Sequence, residues 1–308
     1  MATTLYTRAN RPKSSGERWA RRGGALVPWL WIAPAILFVA IFLLYPVINT
    51  IWLSLLNFDS SAFAGLTNYR RIFTDPRMLL VLRNNLLWLV VGTVATVFLG
   101  LVIAVLVDRV RIESIAKSAI FIPMAISFVG AGVIWRFVYQ YAPPGQAQTG
   151  LLNAFVTNFG VQPQAWLINP TINNFALITV YVWMWTGFCM VILSAALKGV
   201  PAEILEAARV DGASEVRIFF RIIVPMIAPT IAVVATTMII NLLKIFDIVY
   251  VMTGGNFRTN VVAVEYYQQQ FNFGNFGLSS ALAVLLLIAI IPIMLYNIRR
   301  FRQQEAQR

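Results

Sequence analysis

The sequence predicts an all-α, polytopic membrane protein with six transmembrane helices, and two observations carry that prediction. Of 308 residues, 59% are hydrophobic and 12% are charged, about half the charged fraction of a soluble domain, and mean hydropathy is +0.74. The apolar residues also gather into uncharged runs of about 20, the length at which a helix crosses the hydrocarbon core with every backbone group satisfied internally.

The first span lies within Trp29 to Phe58, where Pro34 and Pro46 are expected to bend it. The second runs from Asn84 to Val107, and the third from about Ser118 to Tyr139 with Arg136 near its outer end, held there by snorkelling. The fourth spans Phe175 to Leu197, the fifth Ile222 to Leu243 and the sixth about Leu278 to Ile298. Pro225 and Pro229 fall in the first turns of the fifth, where a missing N–H costs least. Residues 59–83 read as a short interfacial segment and residues 140–174, rich in Pro, Gly, Gln and Asn, as an ordered polar cap. The chain thus divides into a basic tail over 1–27, a six-helix domain over 28–302 containing a polar loop at 198–224, and a short tail over 303–308.

Composition excludes much chemistry. There is no histidine, so a Ser-His-Asp triad, an H-E-x-x-H zinc site and a histidine proton relay are all absent. Cys189 is the single cysteine, and no G-x-x-x-x-G-K-[ST] loop occurs, so the chain carries no P-loop ATPase of its own. No catalytic residue and no metal ligand is expected; the sequence reads as a mover rather than a catalyst.

The net charge of +12 is explained by position. With the termini inside, 17 of the 24 basic residues fall on inner segments and 6 on outer ones, Arg136 being the remaining one. That asymmetry places both termini in the cytoplasm and assigns the excess to the inner leaflet and its anionic lipid, with no nucleic acid implied.

The inner loop between the fourth and fifth spans is the most informative segment. Pro201 suits a first helical turn, Glu203 and Glu206 favour its positive end, and Gly212 can turn left-handed to stop it. Ala207 and Ala208 admit a close neighbour, with Ile204, Leu205 and Val210 as apolar knobs and Glu206, Arg209 and Asp211 as a charged rim. A second short amphipathic helix over about 214–220 leads to Pro225. From the residues alone, a lever that plugs into a partner and a connector resting on headgroups are both open.

The spacing Glu206-Ala207-Ala208, three residues, Gly212, nine residues, Ile222 and then Pro225 resembles the E-A-A loop of ATP-binding cassette importer permeases, with Val224 where that motif has Leu. Gly65 to Tyr69, Phe121-Ile122-Pro123, Ala165-Trp166-Leu167, Tyr250 to Gly255 and Phe276-Gly277-Leu278 extend the resemblance to the maltose and α-glucoside branch over roughly 28–302. The resemblance implies a type I importer permease fold in a bacterial cytoplasmic (inner) membrane, paired with a second similar permease. It also implies two ATPase subunits that bind ATP and magnesium, an extracytoplasmic binding protein, and no cofactor in this chain. The coupling helix would lie at 201–211, with Glu203, Leu205, Glu206, Ala207, Ala208, Asp211, Gly212 and Pro225 engaging the ATPase. The enterobacterial maltose subunit of this type has two extra N-terminal spans and a large outer domain that this sequence lacks, so contacts with a binding protein are expected from short loops.

For the substrate, a carbohydrate needs amide, carboxylate and hydroxyl partners together with aromatic faces. Lys244 and Asp247, three apart near the outer end of the fifth span, can pair on one helix face, either as part of a sugar-facing stripe or as a structural ion pair at the bilayer edge. Asn241, with Tyr181, Met184 and Trp185 on the fourth span, falls where the resemblance places sugar contacts, as does Ser127 with Met124 and Phe128 on the third. Gly277, Ser279, Ser280 and Ala281 read as close helix packing. An α-glucoside or maltooligosaccharide is the expected substrate, with a monosaccharide, trehalose or glycerol 3-phosphate as alternatives within the class. An ion-gradient-driven secondary transporter is the rival outside it, but it requires intramembrane relays and inverted repeats that are not evident.

Overall fold

In the computed structural model, residues 29, 31–108 and 110–306 are described, and the chain divides into two compact units, Met1–Trp52 and Leu53–Arg308. The basic segment 1–27 lies outside the described residues. Helix α1 (Trp31–Leu53) has 23 residues, about 34 Å at 1.5 Å per residue, which is enough to cross a ~30 Å core. A π-turn interrupts this helix at Ala40–Leu44. A proline crowds the carbonyl four residues back; for Pro46 that residue is Phe42, inside the widened turn.

The second unit contains α2 (Thr67–Thr74), α3 (Pro76–Val107), α4 (Glu113–Ala125), α5 (Phe128–Val138), α6 (Leu151–Thr157), α7 (Asn173–Lys198), α8 (Ala202–Val210), α9 (Glu215–Leu243), α10 (Asp247–Thr253), α11 (Val262–Tyr267) and α12 (Phe276–Ala306). Among the described residues no strand forms beyond one isolated bridge between Leu56 and Phe63. The main core joins α3, α5, α7, α9 and α10 through Trp88, Ala131, Tyr181, Met190, Leu193, Met238 and Ile248, all fully buried. Gly100 lets α3 and α7 meet, because a Cβ there would stand 2.5 Å from Cys189 Cβ. A smaller core of Ile72, Val81, Val262, Leu278 and Leu282 holds α12 against α2, α3 and α11, with Ser279, Ser280 and Ala281 buried as the packing reading expects.

Four boundaries differ from the sequence expectation, each for a local reason. The second span starts at Pro76 rather than Asn84, because the Asp75 carboxylate caps it by accepting from Arg77 N at 2.8 Å and Pro76 suits the first turn. The third span is not one helix: α4 and α5 meet at 101°. Pro123 tightens the end of α4 into a 3₁₀ turn, Ile126 is extended, and Ser127 restarts the helix by accepting from Gly130 N at 3.1 Å. The fifth span starts at Glu215 and absorbs the expected short helix over 214–220, so Pro225 and Pro229 lie inside it. A π-turn at Phe219–Ile223 again encloses the residue four before the proline, Arg221 before Pro225. The sixth helix continues through 303–306, whose Gln, Gln, Glu and Ala are good helix formers.

The broken pair nevertheless runs the length of α7. Lys117 on α4 bonds Ser194, whereas the Tyr139 hydroxyl just beyond α5 donates to Ala176 O at 3.0 Å. Those two positions on α7 are about 27 Å apart at 1.5 Å per residue. The second unit therefore has a loop end, with residues 110–112 and 199–214, and a cap end, with residues 140–172 and 254–275.

Candidate functional site

At the loop end, α8 forms as its sequence dictates, after Pro201 and with Glu203 in its first turn. Gly212 ends it at φ +81°, a left-handed conformation that a Cβ would strain. The turn is closed by Gly212 N to Arg209 O at 3.0 Å and Ala213 N to Ala208 O at 3.0 Å. Arg209 Nε donates to Glu215 Oε1 at 2.7 Å, pinning the end of α8 to the start of α9. That carboxylate also holds the guanidinium above its ordinary range. Ile204 and Val210 stand exposed, as do Glu203, Glu206, Ala207, Asp211 and Pro225, while Leu205 and Ala208 are half-buried. The helix thus offers an apolar and charged surface on its exposed face.

Behind the loop lies an ionic cluster that sequence reasoning missed. Lys117 Nζ donates to Asp108 Oδ1 at 2.5 Å, to Glu113 Oε1 at 2.6 Å and to Ser194 Oγ. Ser194 Oγ donates to Asp108 Oδ1 at 2.6 Å, and Lys198, at the end of α7, reaches Glu113. The ends of α3, α4 and α7 are locked together one residue before the loop departs at Gly199. The signal was present in sequence: Asp108, Glu113 and Lys117 are charges bordering apolar runs, which need partners.

In mid-bundle, Tyr181 is fully buried and packs against both Phe128 and Trp185, with ring centroids at 6.5 and 6.0 Å and planes within 9° and 23°, and those two rings stand 6.4 Å from each other. Trp88 meets it edge-on at 6.4 Å, and the Tyr181 hydroxyl donates to Met238 Sδ at 3.7 Å. Met184 is buried, Trp185 and Asn241 are half-buried, and Ser127 is exposed at the helix break. Met238 and Asn241, three apart, share one face of α9. The structure therefore gathers Phe128, Tyr181 and Trp185, and Tyr181 reaches α9 through Met238.

Lys244 and Asp247 do not share a helix face. α9 stops at Leu243, Lys244 turns away at φ −106° and ψ 23°, and Asp247 opens α10. Ile245 and Phe246 intervene because Ile245 is drawn into the core, and the chain breaks to bury it. Lys244 is exposed and Asp247 half-buried.

The cap end is tied by asparagine doublets. Asn84 Nδ2 donates to Arg258 O at 2.7 Å and Asn260 O at 2.8 Å; Asn85 Nδ2 donates to Leu243 O at 3.2 Å and its Oδ1 accepts from Val262 N at 3.0 Å. Asn173 Nδ2 reaches Phe257 O at 2.7 Å. Buried Asn153 orders the polar cap through Gln140 O, Gln164 and Trp166 Nε1.

Residues 24–303 match the family model described as a binding-protein-dependent transport system inner membrane component. The chain is 56% identical to the osmoprotective compounds uptake permease protein GgtC of Synechocystis sp., over 91% of this chain and 100% of that protein. It is 48% identical to the alpha-glucoside transport system permease protein AglF of Rhizobium meliloti, over 94% and 86%. The fold matches a chain of the bacterial ABC transporter involved in import of the acidic polysaccharide alginate, with a TM-score of 0.73 and 20% identity over 93% and 99%. The helical bundle and these matches together establish that the chain belongs to the family of binding-protein-dependent transport system inner membrane components, the permeases of ABC importers.

Proposed function

We propose that the chain is one permease half of an importer for a carbohydrate of the α-glucoside class, with both termini in the cytoplasm and the loop end facing the ATPases. The observation that carries the substrate class is the 48% identity, over 94% of this chain, to a permease named for α-glucosides. The stacked rings of Phe128 and Trp185, both partly exposed beside the buried Tyr181, support it, since a pyranose presents apolar C–H faces to aromatic planes. Asn241 supplies an amide on α9, and Lys244, Asp247, Met184 and Ser127 remain candidates for the rest of the path.

In this reading the exposed face of α8 seats in an ATPase subunit. Glu203, Leu205, Glu206, Ala207, Ala208 and Asp211 form the contact, and Gly212 and Pro225 set its geometry. ATP and magnesium bind on the ATPase pair, and this chain converts their closure into alternating access with a second permease and an extracytoplasmic binding protein. The test is reconstitution of the assembled transporter in liposomes with its binding protein, measuring ATP hydrolysis against a sugar panel. Stimulation by α-glucosides is expected; stimulation by monosaccharides alone, or uptake driven by an ion gradient without ATP, overturns the assignment.

A further inference from the structure

At the cap end, a cavity of about 360 Å³ opens between the outer turns of α3, the start of α7 and the loop at Arg258. Its polar wall is Arg83, Arg258 and Asn174, together with Asn84 and Thr171. Neither arginine has an ion-pair partner among the described residues. Arg258 sits at φ +65° beside Phe257 at φ +55°, two consecutive left-handed non-glycine residues. Such strain persists only where surroundings enforce it. Here Asn84, Asn173 and Asn174 hold the two carbonyls from other helices.

The third positive element is the N-terminus of α7, a 26-residue helix whose first turn no side chain caps. Asn174, in that first turn and more than nine-tenths buried, has its Oδ1 without a hydrogen-bond donor. An anion alone satisfies the arginines and the helix end but leaves that acceptor empty. A ligand that pairs an anionic group with a hydroxyl satisfies all four.

The apolar wall says where the ligand comes from. Leu80, Leu87 and Phe175 line the same cavity. On α3, Leu86, Val90 and Val94 continue the row from Arg83 as exposed side chains towards mid-bundle. We propose that this cavity binds the headgroup of an anionic phospholipid of the phosphatidylglycerol class. Its phosphate lies between Arg83, Arg258 and the α7 amides, its glycerol hydroxyl donates to Asn174 Oδ1, and its acyl chains follow the apolar row. A carboxylate side chain from a docking protein supplies the charge but no donor for Asn174. Phosphatidylethanolamine supplies a donor but brings a cation to two arginines.

The inference depends on the chain being a membrane permease and not on which substrate it carries. The experiment uses the assembled transporter in nanodiscs of phosphatidylcholine doped with phosphatidylglycerol, reading retained lipid by native mass spectrometry and protection against thermal unfolding. Phosphatidylglycerol is expected to bind at least tenfold better than phosphatidylcholine. Arg83→Gln and Arg258→Gln should each lower that preference about tenfold, with partial rescue by Arg→Lys, while Arg77→Gln, an equal loss of charge outside the cavity, leaves it unchanged. Asn174→Leu should reduce discrimination between phosphatidylglycerol and phosphatidic acid. Equal retention of the lipids, or retention unaffected by both arginine substitutions, overturns the proposal. So does full competition by inorganic phosphate or soluble glycerol 3-phosphate, which would assign the site to a soluble anion. Binding-protein affinity that falls in the arginine variants while lipid retention stays the same would assign it to an acidic protein surface.

Discussion

Asn84 Nδ2 lies 2.7 Å from the carbonyl oxygen of Arg258, a residue 174 positions later in the chain and left-handed at φ +65°. A single amide on α3 thus fixes the loop that connects the fifth and sixth spans, and its second hydrogen, on Asn260 O, closes the same clamp.

Asn84→Leu keeps the size of the side chain but removes both donors, leaving the buried Asn260 carbonyl without its amide and the Arg258 carbonyl with only the longer bond from Asn174 at 3.4 Å. The expected cost is about 1–3 kcal/mol, read as a lower melting temperature of the purified protein. Asn84→Asp, which also lacks the donors, should fall with it; an unchanged melting temperature in both would show that water replaces the clamp.

Gly212→Pro cannot adopt φ +81° and loses the N–H that bonds Arg209 O. Membrane insertion should persist because every span is untouched, while sugar-stimulated ATP hydrolysis falls at least tenfold as α8 loses its orientation. Normal uptake by this variant would remove α8 from the coupling path.

Lys117 and Lys198 share Glu113 but should differ in weight. The Lys117–Asp108 pair is mostly buried, with side chains 18% and 16% exposed, whereas Lys198 is 54% exposed. Lys117→Met should cost more, because it removes the only cation paired with Asp108 among the described residues, while Glu113 keeps Lys198. Lys198→Met should cost no more than about 1 kcal/mol. Parallel thermal melts of the two variants decide the ordering, and equal losses would contradict it.

Trp185→Ala and Asn241→Leu are expected to raise the sugar concentration needed for half-maximal uptake severalfold, or to change the order of preference in the panel. Complex assembly on gel filtration should stay normal. Unchanged kinetics in both variants would place the sugar elsewhere in the bundle.

The apolar runs made the spans legible because uncharged length alone decides crossing, and Gly212 was legible because a left-handed stop leaves a residue-type signature. The break at Ser127 was harder to see. Pro123 and Ser127 are ordinary in isolation, and only Gly130 N at 3.1 Å shows that one ends a helix and the other starts the next. Lys244 and Asp247 had helical spacing, but burial of Ile245 overrode it, a tertiary demand invisible to periodicity. The asparagine doublets escaped notice because an amide at a span end reads as a loop residue until its distant carbonyl partners are known.

The 101° break carries a consequence for biogenesis. Neither α4, which ends at Ala125, nor α5, with 11 residues, reaches the ~20 needed to partition from a translocon on its own. Both pieces lie along α7, which emerges later from the ribosome, with Lys117 on Ser194 and Tyr139 on Ala176. The third crossing is therefore completed only when the fourth is at hand to receive it. A nascent chain cut before Asn173 should leave residues 113–138 poorly integrated, and one extended past Lys198 should draw them in.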